Sequence, residues 1–554
     1  MVGRLLRAVH TEIRGMHEAA YLLAIFALLS QILGLLRDRL LAGQFGVGET
    51  LDIYYAAFRI PDFLFVTVAS LFSLYAILPV LARTHENSAR MVESILVWFF
   101  VITGIGAAVA YVLAPTLMPY VVPGFSEEAR AHTVLLARLL LIQPILLGAS
   151  NVLASLTQFR SRFILYALSP LLYNFGIITG IVFLYPYFGL SGLGFGVVIG
   201  ALLHFLIQVP HFLSERTRES GRRISPPLRE ILTLSLPRTL ALAAGQVTLL
   251  VLVALASSLD AGAISAFTFS MNLSAVPLAV IGMSYSVAAF PTLSRLLGEG
   301  ERDLFFTHIM VALRHILFWS IPAIVLIVVL RAQIVRVILG SGAFDWDATR
   351  LTAAALAILV ISLLAQSITY LLARGYYAAG KTKRPLLLAL LSVCVSIISA
   401  LVLLKFFTSY PAFSYFVESL LRVEEARGTS VLMLAVGYTL GAVCSSIFGL
   451  LFFSLDFGTS LRSLFSTATR SFSASIIGGF CAYLALTLMG EIVDIDTFIG
   501  IFSQGLVGGM AGLSGVTLIL YVLRSPELLE VFDALHRRFK DKADVALEPS
   551  ELSS

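Results

Sequence analysis

Apolar residues run through this chain in long unbroken stretches, with polar residues confined to short gaps between them. Runs of about 20 residues, each long enough to cross a bilayer as a helix, recur from end to end. Spans are expected near 18–43, 51–82, 91–115, 131–158, 163–187, 190–213, 228–258, 262–294, 304–330, 350–373, 385–405, 430–455, 466–490 and 498–523. The pattern therefore predicts an all-α polytopic membrane protein with fourteen transmembrane helices. The runs do not alternate with period two, which excludes a transmembrane β-barrel. The first run is too long for a signal-peptide core and continues into charged helix, so no cleaved leader is expected.

The polar gaps give the orientation. With both termini cytoplasmic, the cytoplasmic segments hold 25 of the 38 Lys and Arg residues and the external loops hold 7. This is the asymmetry of the positive-inside rule. The segment around 214–229 carries Arg216, Arg218, Arg222, Arg223 and Arg229, whereas 490–497 carries only Glu491, Asp494 and Asp496.

Composition agrees. The chain is 58% hydrophobic and 13% charged, with mean hydropathy +0.93, against about 25% charged residues in soluble domains. Topology accounts for the net charge of +5. The basic residues are spread over eight separate segments, which argues against a nucleic-acid partner. Cys394, Cys444 and Cys481 fall inside spans with neither disulfide nor metal spacing. The tail 524–554 is amphipathic near Leu528–Phe539 and reads equally as a surface-lying helix or a solvated end.

Charge inside the helices is the exception that carries function. Arg37, Asp38 and Arg39 lie in the second half of the first span, and Asp52, Arg59 and Asp62 in the second. A charge at membrane depth costs about 2.5–3.5 kcal/mol even on insertion scales, and such groups usually line a polar path.

The chain also repeats itself. PGFSEEARAHTVLLARLLL from Pro123 is answered by GAFDWDATRLTAAALAILV from Gly342, and LPVLART at Leu78 by FPTLSRL at Phe290. NVLASLTQFRSRF from Asn151 is answered by YLLARGYYAAGKT from Tyr370, and GVVIGALLHFLIQVP at Gly196 by VGYTLGAVCSSIFGL at Val436. Each unit would hold six helices and cross in the same sense, giving parallel repeats related by an axis along the membrane normal. The expected organisation is an N-lobe over 1–213, a cytoplasmic linker at 214–227 and a C-lobe over 228–455. Two further helices follow at 456–523, then the tail at 524–554. The lobes would enclose a central cavity and open it alternately to either side. Helices 13 and 14 are rich in small residues that allow a close contact or a groove.

The stretch GLLRDRLLAGQFGVGETLDIYYAAFRIPDFL, Gly34–Leu64, resembles the opening signature of the MurJ/MviN lipid II flippases of the multidrug/oligosaccharidyl-lipid/polysaccharide exporter superfamily. Pro123–Gly124–Phe125, Phe159–Asn174, Gly192–Pro210 and the Pro277–Pro291 helix are also similar to that family. The resemblance implies a flippase of the bacterial inner membrane, moving undecaprenyl-pyrophosphoryl disaccharide-pentapeptide to the outer leaflet for peptidoglycan assembly. It also implies a groove for the polyprenyl tail in the last two helices. Three family arginines are replaced, by Gln31, Phe65 and Asn272, and the acidic–glycine pair of helix 2 is Ser70–Leu71. The resemblance is thus to a divergent member.

An anionic pyrophosphate favours arginine, whose planar fork holds phosphate through two parallel bonds. The substrate-binding candidates are Arg37, Asp38, Asp52, Arg59, Arg238, Gln31 and Asn272. Arg37, Arg59 and Arg238 would face the headgroup, and Asp38 and Asp52 would hold the arginines. A plain ion pair between Arg37 and Asp52, pinning helices 1 and 2, competes with that reading. Gln31, Gln246 and Asn272 would line the chamber or serve as packing glue. No Walker loop, HExxH, GxSxG or zinc spacing occurs, so a transporter without cofactor or metal is expected rather than an enzyme. The expected partners are the lipid-linked precursor, membrane lipids and a coupling ion or the membrane potential, with one copy as the working unit. Two other readings remain open: an exporter of the same superfamily for another lipid-linked saccharide or a drug, and a transport-inactive scaffold for cell-wall synthesis.

Overall fold

The computed structural model describes residues 16–72, 74–83, 87–219, 225–424, 426–458, 461–494 and 497–533. Expectations that rest on Arg222, Arg223, Asp496 and the tail beyond 533 lie outside them. The described residues form helices and no strands. Among the described residues thirteen helices are long and apolar enough to cross a membrane, from Glu49–Phe72 to Phe498–Val522. The helix Met16–Phe45, of 30 residues, precedes them.

Three of the spans are locally underwound. Wide π turns occupy Phe65–Ala69, Gly180–Leu184 and Ala279–Met283. The first and third follow Pro61 and Pro277, residues that lack the N–H needed by the i→i−4 ladder. The span expected at 51–82 is therefore a series: Glu49–Ala57, Arg59–Leu64, the π turn, a short 3₁₀ turn at Ser70–Phe72, then Leu74–Arg83.

Close packing groups the chain into two interleaved units. One comprises Met1–Leu273, Ile338–Ile358 and Thr382–Cys444; the other comprises Ser274–Val337, Leu359–Lys381 and Ser445–Ser554. Neither is coextensive with one sequence repeat.

In the first unit, Phe72, Ile77, Leu81, Val92, Phe99 and Leu156 form a buried core, with Phe72 set edge-on to Phe99 at 5.6 Å. The segment expected to begin a linker at 214 remains helical through Arg218. Its chain is fixed because the Glu219 carboxylate accepts from the backbone N–H groups of Ala89 and Arg90, both at 3.0 Å, capping the helix Ser88–Val121. Arg160 pairs with Glu215 at 3.0 Å in the same cluster.

The repeats reappear as matched contacts at one end of this unit. The N–H of Gly124 donates to Ser257 Oγ at 3.2 Å, and its counterpart Ala343 donates to the Gly43 carbonyl at 2.8 Å. The residues two further on cap helices alike: Ser126 accepts from Ala129 N–H at 3.1 Å, and Asp345 from Ala348 N–H at 2.8 Å. Gly46, at φ +65, would place a Cβ 2.6 Å from the Ala343 carbonyl oxygen, so both its conformation and its contact require glycine.

In the second unit, Phe305, Ile309, Leu313, Leu371, Tyr376 and Phe453 form the core. The helices Arg462–Ile492 and Phe498–Val522 lie against each other along glycines. A Cβ on Gly478 would fall 2.8 Å from the Gly512 carbonyl oxygen, the close approach that small residues permit in membrane helices. Residues 526–533 are helical and dock on this unit. Glu527 is buried, accepting from Thr467 Oγ1 and Ser525 Oγ, both at 2.8 Å, and Glu530 meets His315 at 2.9 Å.

Candidate functional site

Helix Met16–Phe45 carries Arg37 and Asp38 on adjacent positions. The guanidinium turns back on its neighbour, with Nε at 2.9 Å and Nη2 at 2.8 Å from Asp38 Oδ1, while Nη1 donates to Asn174 Oδ1 at 3.3 Å. The second carboxylate oxygen of Asp38 accepts from Asn272 Nδ2 at 3.0 Å. Asn174 is itself held by the Pro170 carbonyl at 3.1 Å. Three helices thus converge on one neutralised pair, all within the first unit. The Asp38 side chain is 4% exposed and that of Arg37 23%. A guanidinium has five N–H donors, and the bonds described use three of them, leaving two unengaged among the described residues. The phenol of Tyr55, in the next helix, lies near this pair, and its buried hydroxyl has no hydrogen-bond partner among the described residues.

Asp52 lies elsewhere. Its carboxylate accepts from the backbone N–H of Gly262 and of Ser265, both at 2.7 Å. It therefore caps the N-terminus of the helix Ala263–Leu278, where unpaired donors and the helix dipole favour an anion. This corrects the expectation that Asp52 steadies an arginine or pairs with Arg37: two preorganised backbone donors meet it instead. Val47 packs on Gly262 beside the same cap. Counting along the helices, Arg37 sits eight residues from Phe45 and Asn272 seven from Ser265. The charged cluster thus lies about 10–12 Å beneath this closed end.

The remaining candidates separate from the cluster. Arg59 Nε donates to the Tyr55 carbonyl at 3.3 Å, one turn back on its own stretch of helix. Gln31 is exposed on the face of helix Met16–Phe45 and makes no hydrogen bond among the described residues. Arg238 lines a different cavity of about 350 Å³ with Gln246, Ser70, Asn151, Gln158 and Tyr166. Phe65, where the family resemblance led us to expect an arginine, lines it too. His204 bonds Ser150 at 2.8 Å, and Arg138 sits 4.5 Å over the Tyr111 ring; both are packing contacts. Sequence reading missed Asn174 and Tyr55. The only mark of Asn174 was a lone amide one turn after Pro170 in an apolar helix.

The family profile described as "Lipid II flippase MurJ" matches residues 41–423. Among curated relatives, a probable lipid II flippase MurJ of Bdellovibrio bacteriovorus is 30% identical over 414 residues, 70% of this chain and 76% of the relative. One from Thermotoga maritima is 29% identical over 370 residues, 66% of this chain and 75% of the relative. Among solved structures, a lipid II flippase MurJ in an inward closed conformation superposes with TM-score 0.70 at 22% identity, covering 91% of this chain and 99% of that one. An inward-facing multidrug resistance MATE transporter of the MOP superfamily gives 0.62 at 15%, covering 81% and 99%. With more than half the chain matched by that profile, the protein belongs to the MurJ lipid II flippase family.

Proposed function

We propose that the chain carries lipid II across the bacterial inner membrane, from the cytoplasmic to the outer leaflet, by exposing one polar site alternately to each side. The observation that supports this is Arg37: a guanidinium within a membrane helix, kept in register by Asp38 and Asn174, with donors to spare. Pyrophosphate meets those donors with paired oxygens, and such charge-assisted bonds are roughly twice as strong as neutral ones. Asn272 contributes indirectly, because it fixes Asp38 and through it the arginine. Arg238, with the amides of Asn151, Gln158 and Gln246, offers a second polar surface suited to saccharide hydroxyls. Asp52 closes the external end, and its release from Gly262 and Ser265 opens it. Gln31 and Arg59 belong to the approach to the site rather than to the cluster.

Met16–Phe45 is the fourteenth crossing, both termini are cytoplasmic, and one copy suffices. The 1–213 and 228–455 halves serve as the moving lobes, and the 456–523 helices seat the lipid tail. The chain acts as a transporter rather than an enzyme. With no nucleotide-binding motif, the drive comes from an ion gradient or the membrane potential, which supplies about 2.3 kcal/mol per charge per 100 mV.

The deciding experiment depletes the protein and measures lipid-linked precursor in each leaflet. Accumulation on the cytoplasmic side is expected. Normal wall growth without accumulation refutes the proposal and returns the other superfamily cargoes, or a scaffold, to first place.

A further inference from the structure

The helix Lys383–Ser409 shows one continuous exposed stripe: Leu387, Leu390, Ile398, Leu401, Val402 and Phe406. A stripe with that composition along a membrane-length helix faces lipid. Lys405, also exposed, interrupts it one turn before the helix ends. A lysine at that depth extends its ammonium to the headgroups, which marks the membrane–water boundary. Phe406 and Tyr410 stack there at 5.2 Å, as aromatic residues do at the interfacial belt.

The chain does not leave the membrane surface at this point. After Tyr410, whose backbone is extended, an eleven-residue helix follows at once, Pro411–Leu421. One face is fastened to the protein. Phe413 meets Phe407 edge-on at 6.3 Å, and Glu418 accepts from Thr429 Oγ1 at 2.6 Å. The helix ends at Arg422 in the left-handed conformation (φ 60), with its carbonyl accepting from Arg350 Nη2 at 2.9 Å. The other face presents Ala412, Tyr415, Phe416, Ser419 and Leu420, spaced at helical intervals and without a charge. Tyr415, Phe416 and Leu420 are each more than 60% exposed. Among the described residues nothing covers them, and they continue the lipid-facing stripe around the corner at Tyr410.

We propose that Pro411–Leu421 is an interfacial helix whose uncharged face rests in the headgroup and upper acyl region of the leaflet at the end of Lys383–Ser409. In the orientation proposed above, this is the external leaflet. The occupant is lipid rather than a protein partner because the face is continuous with a lipid-facing one and carries no charge for pairing, its two hydroxyls, on Tyr415 and Ser419, being of the kind that sits at the headgroup level. The single-residue link at Tyr410 also leaves no length to lift the helix off the boundary that Lys405 marks. Sequence reading took 406–428 simply as a longer external loop, since eleven residues are too few to register as a span. The inference rests on the membrane crossing alone and not on the nature of the cargo.

Nitroxide labels test it. In full-length protein with Cys394, Cys444 and Cys481 replaced by alanine, single cysteines are placed at Tyr415, Phe416 and Leu420, and at Glu424 as an exposed control. The samples are reconstituted in phospholipid nanodiscs. Collision with dissolved oxygen against a water-soluble nickel chelate reports depth. Labels at 415, 416 and 420 are expected to favour oxygen, and the label at 424 to favour the chelate. Chelate preference at all four positions overturns the proposal, as does shielding from both reagents, which would reveal a protein neighbour. Flipping by the labelled variants is measured in parallel, so that loss of transport and failure of the lipid contact are read separately.

Discussion

Replacing Asp52 with alanine removes the acceptor for two buried backbone donors at once, Gly262 N–H and Ser265 N–H. The site is closed around them: Asp52 is 3% exposed and Ser265 fully buried, so water does not substitute. Leaving a buried donor unpaired costs about 1–3 kcal/mol, so the pair loses about 2–6 kcal/mol of closure. The lower figure agrees with the upper end of measured helix-cap losses, about 2 kcal/mol. At about 1.4 kcal/mol per tenfold, local opening rises by at least about 30-fold. Hydrogen exchange of a peptide covering 258–270, followed by mass spectrometry on protein in nanodiscs, reads this directly. Asp52→Asn keeps one acceptor oxygen and is expected to fall midway. If exchange in Asp52→Ala matches that of the parent, the carboxylate is not what holds this end closed and the gating role fails. Flipping is expected to be lost in Asp52→Ala with membrane expression retained.

Arg37→Lys keeps the charge but cannot reach Asp38 and Asn174 together. Loss of a charge-assisted bond at about 1.5–3 kcal/mol predicts a roughly 10- to 100-fold fall in flipping by reconstituted protein, and full activity would refute the positioning argument. Burial raises the Glu527 carboxyl, but its own backbone N–H, Ser525, Thr467 and the charge of Arg314 outweigh it and hold the group below its ordinary value. The tail contact is therefore at full strength above the unfolded pKa of about 4.3 and weakens as pH falls through the lower folded value. Exchange of residues 525–533 between pH 6 and 3 should show this, and Glu527→Gln should weaken the dependence, leaving only what Glu530 contributes through His315 and Arg314. Gly478→Ile drives a branched side chain into Val516 and the Gly512 carbonyl. Overpacking at about 1–3 kcal/mol should lower the thermal midpoint, and flipping should fall further than headgroup binding. Equal loss of both would argue against a tail groove.

The helices were legible because apolar length alone decides whether a segment can cross a membrane. Arg37 and Asp38 were legible because charge there is costly. What stayed hidden has no local cost to betray it. Asn174 and Tyr55 are tolerable in many apolar helices, and their part in the cluster follows from which helices pack together. Asp52 was read correctly as buried but given the wrong partner, since the N–H groups at a helix start leave no trace in side-chain identity. The π turns were marked only by Pro61 and Pro277, and proline bends a helix in several ways.

Gly124 bonded to Ser257 and Ala343 bonded to Gly43 are one contact made twice by duplicated halves of the chain. Such duplication acts like two bolts on a single door. A movement that draws one bolt is expected to draw its twin, so partial release gains little. This end of the first unit should therefore behave as a threshold device, either shut or fully ajar, which suits a carrier that must never leave a continuous leak for ions beside its oversized cargo.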